Sequence, residues 1–332
     1  MTELVSISML AYNHAPWIEQ AIMSIVNQKT EYPFRLYVHD DASIDGTTEI
    51  IQRLAEKYPD KITAFLDDEN QYSKGVKITR SIMLPHMQGK YLALCEGDDY
   101  WVDENKLQKQ VSFMESHPDC SLCFSDAMVV DTNGNKIRNF FDNRSWNDKK
   151  INAKLKQRDG ADFSVEEMLL LDFAPTASLL YFRTAYEELS KFTVSLDLLV
   201  RLVTANMGYA HFHNEVFSAY RTGNAGSASG SIQKSYEKLK KSFYDKHCLI
   251  LNEFDDYTGH RYTETIHHVM KRKEIDLLFN SGKEYYKEIR KHECYRELTA
   301  KKRMKVLAKL YFGKPVRIYK RLKYKNDFLA KM

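Results

Sequence analysis

Residues 91–101 read YLALCEGDDYW, and in this stretch a short apolar run leads directly into an acidic cluster. The run Tyr91–Leu94 has the length and composition of a buried strand, and Glu96, Asp98 and Asp99 follow it. Ligand sites of open α/β sheets lie beyond the carboxyl ends of the strands. The stretch therefore predicts a buried strand whose end carries a functional cluster.

The same strand-like pattern recurs on both sides of this stretch and alternates with helical spacing of apolar residues. The predicted strands are Val5–Leu10, Arg35–His39, Ile62–Leu66, Tyr91–Leu94 and Cys120–Phe124. The predicted helices are Ala15–Asn27, Asp45–Tyr58, a weaker one at Ile78–Leu84, and Lys106–His117. Strands that alternate with helices indicate βαβ units and a parallel sheet covered on both faces.

The pattern becomes less regular after residue 125. The stretch Asp131–Gly160 is polar and reads as loop, and Arg221–Ser231 is a loop rich in Gly, Ser and Asn. Between them we expect helices at Ser164–Asp172 and Leu196–Ala205 and strands at Ala177–Phe182 and Val216–Tyr220. From Ile232 onward the chain reads as helical and basic. We therefore expect an α/β domain at 1–230 and a basic helical extension at 231–332.

Composition is that of an ordinary globular protein: 332 residues, 43% hydrophobic and 28% charged. Five cysteines without regular spacing argue against a disulfide framework, and the lone pair Cys120 and Cys123 lacks partners for a zinc site. No uncharged apolar run approaches the roughly 20 residues of a membrane span. We expect a cytoplasmic protein, either free or docked as a peripheral protein on the inner face of the membrane.

Charge is distributed unevenly along the chain. The net charge is only +4, but Arg290–Met332 contains 15 Lys or Arg and three Asp or Glu, which gives that tail +12 and the rest of the chain −8. The basic residues of 301–325 alternate with apolar ones and predict amphipathic helices for an anionic membrane surface or for packing on the acidic body. A nucleic-acid partner is not expected, because the body is acidic and lacks interleaved aromatic residues.

Glycine placement excludes two common nucleotide-binding classes. The first glycine is Gly46, so neither a dinucleotide-binding fingerprint after the first strand nor a P-loop is present. A bound diphosphate would then need another counter-charge. A hard cation, Mg²⁺ or Mn²⁺, held by Glu96, Asp98 and Asp99 would supply it. A helix N-cap is the alternative role for these acids, but a cap needs only one carboxylate.

Two other strand ends carry polar motifs that parallel pairing would bring to the same edge of the sheet. The first strand ends in Ala11-Tyr12-Asn13-His14, and the second ends in Asp40-Asp41-Ala42-Ser43-Ile44-Asp45-Gly46-Thr47. Together with Glu96-Gly97-Asp98-Asp99-Tyr100-Trp101, these motifs resemble family 2 glycosyltransferases of bacterial type, as does Lys106-Leu107-Gln108-Lys109-Gln110. The resemblance covers residues 3–125 well and continues weakly to Arg221.

This resemblance implies an α/β, GT-A-like, doubly wound and mainly parallel sheet with a C-terminal helical extension. It implies inverting, metal-dependent transfer of a sugar from a nucleotide-diphosphate donor to an acceptor hydroxyl in cell-surface polysaccharide synthesis. The first candidate for the donor is a UDP-sugar, although a carboxylate can accept hydrogen bonds from the ring N–H groups of both uracil and guanine. The acceptor would be a glycan or a lipid-linked intermediate, and the cofactor Mn²⁺ or Mg²⁺.

Site residues follow from the same resemblance. The nucleotide base would lie against Tyr12 and be read by Asp41 and Asp40. Asp98 would contact the donor, and Asp99, with Asp98, would hold the metal. The full set of expected donor-binding residues is Leu10, Tyr12, Asn13, Asp40, Asp41, Glu96 and Asp98.

The general base is less clearly marked in the sequence. The family places an acidic pair at the start of the helix that corresponds to Leu196–Ala205, but Val194 and Ser195 occupy those positions here. Asp197 is the nearest carboxylate and the expected base, although an acid in the first turn also stabilises the helix dipole. Asp172 is a weaker candidate. A catalytically inactive sugar-nucleotide binder of the same fold is the alternative function. A sugar-phosphate nucleotidyltransferase would need a Gly- and Arg-rich loop that Leu10–Asn13 does not provide.

Overall fold

The computed structural model describes residues 3–142, 149–171, 173–194, 196–223 and 244–280, and isolated positions beyond these at 240, 290–291, 295–296, 300, 303–304 and 307. The chain falls into two compact units, Met1–Gly230 and Ser231–Met332.

The first unit is built around one ten-stranded sheet. Its strands are β1 (Val5–Ala11), β2 (Phe34–Asp40), β3 (Ile62–Leu66), β4 (Tyr91–Leu94), β5 (Tyr100–Trp101), β6 (Cys120–Val130), β7 (Lys136–Asn139), β8 (Ala161–Phe163), β9 (Leu180–Phe182) and β10 (Tyr209–Arg221). They lie in the order β3-β2-β1-β4-β9-β6-β10-β5, with β7 on β6 and β8 on β10. The long pairings β1–β2, β2–β3, β1–β4 and β6–β10 are parallel. The predicted mainly parallel α/β fold is therefore confirmed.

Seven helices accompany the sheet in the described part of this unit. They are α1 (Ile18–Val26), α2 (Thr47–Lys57), α3 (Lys106–Ser116), α4 (Lys149–Lys154), α5 (Val165–Leu170), α6 (Ala185–Leu189) and α7 (Asp197–Asn206). Helix α1 buries Ile18, Ala21, Ile22 and Ile25, the helically spaced apolar residues of its sequence. These side chains join those of β1 and β2 in one core cluster. Burial of this apolar face of α1 thus fixes the helix on the sheet.

The acidic stretch of residues 96–99 is held by strands at both of its ends. Before it, β4 pairs with β1. After it, β5 pairs with β10, with Trp101 opposite Ser218 and Tyr100 opposite Ala219. Since both flanking strands belong to the same sheet, the loop between them is presented at the carboxyl edge of β4.

Several elements differ from the sequence-based expectation. Strands β6 and β10 are much longer than predicted, because they pair with each other in parallel along nearly their whole length and are mostly buried. The polar stretch Asp131–Gly160 contains β7 and α4. The weak helix expected at Ile78–Leu84 is a single π-helical turn, Thr79–Met83, followed by a 3₁₀ turn.

The described part of the second unit is helical, as predicted. It contains α8 (Asp245–Tyr257) and α9 (Thr263–Asn280). Phe254 of α8 stacks on Tyr262, just before α9, with ring centroids 6.2 Å apart. Nearly all of the predicted amphipathic segment 301–325 lies outside the described residues. Among the helices that the structure describes, none is both long enough and apolar enough to cross a bilayer.

Candidate active site

A cavity of about 920 Å³ opens at the carboxyl edge of β1, β2 and β4. The three polar motifs of the sequence meet there, as the parallel pairing predicts. Its wall includes Leu10, Tyr12, His14, Asp41, Asn70, Tyr72, Glu96, Asp98, Asp99, Phe140, Phe173, Thr176, Asp197, Tyr220 and Arg221. Acidic, aromatic and hydrogen-bonding groups therefore share one pocket.

The loops that follow β1 and β2 are joined by hydrogen bonds. The Asn13 backbone N–H donates to Ser43 Oγ over 2.8 Å, and Asn13 Oδ1 accepts from the N–H of Ile44 over 2.9 Å. The Ala15 N–H donates to Asp45, and the His14 N–H donates to Thr47. These polar residues hold together the two loops that follow β1 and β2, whose residues His14 and Asp41 line the cavity.

The two neighbouring acids Asp40 and Asp41 have different surroundings. Asp40 is fully buried, accepts hydrogen bonds from the hydroxyls of Ser43 and Thr48, and does not line the cavity. Asp41 lines it and accepts the backbone N–H groups of Gln71 at 2.6 Å and Tyr72 at 3.2 Å. The Asp41 carboxylate therefore fixes the loop after β3 against the pocket. Of the two predicted base-reading acids, only Asp41 reaches it.

A second polar group lies beside Asp41. His39 Nε2 donates to Asp67 Oδ2 over 2.9 Å. Among the described residues, His39, Asp41 and Asp67 form a set whose possible ligand atoms all lie within 4.8 Å of one another. The hydrogen bonds just described already involve all three side chains. We therefore interpret this group as the anchor of the loop after β3.

Carboxyl groups crowd together in the acidic loop. Burial and the neighbouring charges of Asp99, Asp197 and Asp98 raise the pKa of Glu96 well above its usual range. Burial and Asp98 likewise raise the pKa of Asp99, against the opposing effect of Arg221. Glu96 Oε2 is buried and has no hydrogen-bond partner within the described part of the chain. Carboxylate oxygens crowded in this way are suited to a hard divalent cation.

Arg221 is the buried basic partner of this loop. Its Nε donates to the carbonyl oxygen of Asp98 over 2.8 Å, and its backbone N–H donates to Asp99 Oδ1 over 2.8 Å. Its guanidinium lies over the rings of Trp17 and Tyr100, 5.4 and 5.6 Å from their centroids. Such cation–π contacts suit the planar, weakly hydrated guanidinium group. Arg221 thus secures the acidic loop from the end of β10.

Asp197 lies on the same cavity, at the first position of α7. Its side chain is exposed, and its Oδ2 accepts a hydrogen bond of 2.7 Å from the hydroxyl of Thr176. The weaker candidate Asp172, and Ser195 at one position of the family's acidic pair, lie outside the described residues. Among the expected bases that the structure describes, Asp197 is therefore the one that faces the pocket.

Gly97 packs tightly against the motif after β1. A Cβ atom at this position would lie 2.8 Å from His14 Nδ1 and 2.9 Å from Ile18 Cδ1. Such distances are below normal van der Waals contact, so a larger residue here would require His14 and Ile18 to shift. The close approach sets His14 beside the acidic loop, and burial lowers the pKa of His14 against the effect of Asp98.

The structure places most of the predicted site residues together. Leu10, Tyr12, Asp41, Glu96, Asp98, Asp99 and Asp197 line the pocket, whereas Asn13 and Asp40 do not. Reasoning from the sequence assigned no role to Arg221, Thr176, Asn70 or Tyr72. The only signal for Arg221 was that the weak continuation of the family resemblance ends at this residue, and no local pattern marks the other three.

Comparison with known proteins identifies the family. The family model of glycosyl transferase family 2 matches residues 6–178. An uncharacterized protein of Mycobacterium tuberculosis is 32% identical over 267 residues, which are 79% of this chain and 71% of that protein. The putative teichuronic acid biosynthesis glycosyltransferase TuaG of Bacillus subtilis is 31% identical over 137 residues, 41% of this chain and 52% of TuaG.

Solved structures share the fold. TarS 1–349 of Staphylococcus aureus, in complex with UDP-GlcNAc, matches with a TM-score of 0.57 at 16% identity, over 91% of this chain and 78% of that one. The mannosyltransferase PcManGT of Pyrobaculum calidifontis, in complex with GDP-Man and Mn²⁺, matches with a TM-score of 0.56 at 16% identity, over 96% and 83%. The chain belongs to glycosyl transferase family 2 and is a glycosyltransferase with a GT-A fold.

Proposed function

We propose that the chain is an inverting, metal-dependent glycosyltransferase that moves a sugar from a nucleotide diphosphate to an acceptor hydroxyl. One observation carries the proposal: Asp41, the acidic loop 96–99 and Asp197 line the same cavity. This arrangement offers a group for the nucleotide, a group for the leaving diphosphate and a base for the acceptor. Family membership supports the reaction class.

The residues of the acidic loop fit a divalent cation. Asp98 and Asp99 would hold it, with the buried Glu96 Oε2 beside them. When bound, Mn²⁺ or Mg²⁺ would neutralise charge on the departing diphosphate. The raised pKa values of Glu96 and Asp99 fit this role, because a bound cation would offset both the burial and the neighbouring negative charges that raise them.

The nucleotide end of the donor is assigned to the β1 and β2 side of the cavity. Tyr12, half exposed at 48%, offers an aromatic face, and Asp41 offers a carboxylate for a ring N–H. A UDP-sugar is the first candidate. A GDP-sugar is the second candidate donor, since the structural neighbours are complexes with UDP-GlcNAc and with GDP-Man.

Asp197 is assigned as the general base. In a single displacement, its carboxylate takes the proton of the acceptor hydroxyl as that oxygen attacks the anomeric carbon. The bond from this carbon to the diphosphate oxygen breaks, its electron pair leaves with the diphosphate, and the configuration inverts. Thr176 orients the carboxylate through its hydroxyl and leaves other lone pairs for the acceptor.

The biological acceptor is proposed from the relatives. TuaG is named for teichuronic acid biosynthesis, and the Escherichia coli relative WfaP, 34% identical over 34% of this chain and 42% of its own length, is named as acting on a diphosphoundecaprenol-linked sugar. We propose a glycan or lipid-linked acceptor in cell-surface polysaccharide synthesis. The 231–332 extension would then bring the basic tail to an anionic membrane surface.

An inactive binder of the same fold is the second candidate, favoured by Val194 and Ser195 at the positions of the family's acidic pair. One experiment tests both. The purified chain is mixed with Mn²⁺ and a panel of UDP- and GDP-sugars, and binding and release of the nucleotide diphosphate are measured. Release supports the transferase, binding without release supports the binder, and no binding contradicts both.

A further inference from the structure

Three polar residues lie fully buried outside the cavity. Lys106 and Gln110 stand one turn apart on α3, and Ser178 ends the short 3₁₀ turn Thr176–Ser178. The side chains of all three have no exposed surface. Polar groups are buried in this way when they are hydrogen-bonded, so their partners define what they hold in place.

The ammonium group of Lys106 fixes the orientation of Gln110. Lys106 Nζ lies 4.1 Å from the centroid of the Trp101 ring and donates to Gln110 Oε1 over 2.7 Å. An ammonium group has donors and no acceptor, and a neutral amine still keeps two N–H donors, so the amide oxygen of Gln110 accepts from Lys106 Nζ. The NH₂ group of Gln110 is thereby turned the opposite way.

That NH₂ group donates to the segment that carries Thr176. Gln110 Nε2 lies 2.8 Å from the carbonyl oxygen of Ser178. The Ser178 hydroxyl and backbone N–H both donate to the carbonyl oxygen of Pro175, at 2.7 and 3.0 Å. The turn is therefore closed on itself and attached to α3 through one side chain.

The attached turn ends at the cavity. Thr176 lines the pocket and donates to Asp197 Oδ2 over 2.7 Å. Four hydrogen-bonded contacts and the peptide bond between Pro175 and Thr176 thus connect the buried Lys106 side chain to the carboxylate, in the series Lys106, Gln110, Ser178, Pro175, Thr176 and Asp197.

We infer that Gln110, oriented by Lys106, is a positioning residue that holds the Thr176 turn and through it the carboxylate of Asp197. The inference rests on the proposed function, in which Asp197 is the base. Purely apolar packing would not need this arrangement, because a buried ammonium group is costly to desolvate and a hydrophobic residue of similar volume would fill the space. The rate of a base-catalysed step, in contrast, is sensitive to shifts of the general base on the order of 1 Å.

The test uses Gln110→Glu in the full chain. The new carboxylate still accepts from Lys106, as an ion pair, but it cannot donate to the Ser178 carbonyl and faces that oxygen with a negative charge. Gln110→Met keeps the volume and removes both hydrogen bonds. Gln52→Glu, on the exposed face of α2, is the matched control for the change in charge. Thr176→Val removes the hydroxyl at the other end of the series.

Three quantities are measured: hydrogen exchange of the peptide that spans 173–180, the dissociation constant of UDP with Mn²⁺, and the rate of UDP release from UDP-glucose and UDP-GlcNAc. We expect both Gln110 variants to exchange faster in 173–180, to bind UDP within about twofold of wild type, and to release UDP roughly 10- to 100-fold more slowly. The double variant Gln110→Glu with Thr176→Val should be no slower than the worse single variant, because both changes interrupt one series.

Unchanged exchange and unchanged release in both Gln110 variants would overturn the inference. UDP binding lost in proportion to release would also overturn it, since that result indicates general damage to the fold. If the wild-type chain releases UDP from neither donor, the proposed function is in question for these donors. The exchange rate of 173–180 then decides alone whether Gln110 holds the turn.

Discussion

The backbone N–H of Arg221 donates a hydrogen bond of 2.8 Å to Oδ1 of Asp99, although 122 positions separate the two residues. The end of β10 is thereby fastened to the acidic loop. The guanidinium group of Arg221 donates hydrogen bonds to the carbonyl oxygens of Asp98, Asp131 and Thr132. The acids that face the cavity are therefore positioned by a residue that belongs to a distant part of the chain.

Asp99→Asn separates the charge of this residue from its structural hydrogen bond. The amide oxygen can still accept the N–H of Arg221, whereas the negative charge is gone. We expect the melting temperature to change little and Mn²⁺-dependent turnover to fall at least ~100-fold, about 2.7 kcal/mol in transition-state stabilisation. Calorimetry of Mn²⁺ binding and the rate of nucleotide release measure the two effects.

Asp103→Asn is the control for that experiment, because Asp103 pairs with Lys109 and does not line the cavity. It should bind Mn²⁺ and turn over like the wild type. Wild-type activity of Asp99→Asn, or full activity of the wild type in EDTA, would show that the acidic loop holds no essential cation.

Asp41→Ala should weaken the binding of the nucleotide diphosphate by roughly 1–3 kcal/mol, through loss of a charge-assisted hydrogen bond. Since Asp41 also holds the backbone of Gln71 and Tyr72, a disordered loop could weaken binding indirectly. Asp67→Ala releases the same loop from His39 and leaves Asp41 intact. An equal loss of affinity in both variants would mean that the order of the loop is responsible. A loss confined to Asp41→Ala would mean that Asp41 itself contacts the nucleotide base.

Asp197→Asn should reduce transfer about 10²- to 10⁴-fold, the usual contribution of a general base, and leave donor binding unchanged. The amide can still accept the hydroxyl of Thr176, so the start of α7 should keep its structure. Titration of UDP or GDP with Mn²⁺ checks donor binding, and nucleotide release checks catalysis. Parallel loss of both would instead indicate a structural role at the start of the helix.

The buried amine of Lys106 predicts a pH dependence of stability. Burial lowers its pKa from 10.5 to about 7, against the opposing charges of Cys95, Cys123 and Asp103. Between these two pH values the unfolded chain binds more protons than the folded chain, so this group makes stability rise as pH increases from about 7 towards 10.5. Relative to Lys106→Met, the wild type should therefore gain stability over that range, by several kcal/mol at most.

Denaturant unfolding of both proteins at pH 6.5, 7.5 and 8.5 measures this difference. The free energies of unfolding of wild type and Lys106→Met should diverge in favour of the wild type as pH rises. A difference that is constant with pH would mean that Lys106 titrates at its ordinary value.

The basic tail predicts binding to anionic membranes. Residues 301–325 contain eleven Lys or Arg and no acidic residue, and each basic group near an anionic surface contributes about 1 kcal/mol. The full chain should co-sediment with liposomes that contain an anionic phospholipid at low salt and be released at high salt, because salt screens the attraction. Deletion of 301–332 should abolish sedimentation, and equal sedimentation without the tail would assign membrane binding to another part of the protein.

The alternating elements of the first 125 residues could be predicted because their signals are local. The spacing of Ile18, Ala21, Ile22 and Ile25 marks the buried face of α1, and the apolar run Tyr91–Leu94 marks β4. The full length of β6 and β10 could not be predicted in this way. Its cause is their pairing with each other, which joins residues far apart in the sequence.

The site residues also divide into those with a local sequence signal and those placed by contacts between distant parts of the chain. Acids placed directly after β2 and β4 reach the cavity because the backbone of each strand carries them there. Asp40 and Asp41 are neighbours whose side chains point to opposite sides, as strand geometry requires, and their contacts with Ser43 and Gln71 show which one is buried and which one reaches the pocket. Arg221 and the Gln110–Ser178 contact depend on tertiary packing, for which the sequence has no local signal.

The placement of β9 and β10 has a consequence for how this protein can be divided. The match to the family model ends at residue 178, but β9 lies between β4 and β6, and β10 pairs with β5 and β6. A fragment that ends near residue 178 would leave β4 and β6 with unpaired backbone groups in the middle of the sheet, and such edges promote aggregation. Expression of residues 1–178 should therefore yield insoluble material, and fragment complementation or domain grafting needs a boundary after Arg221.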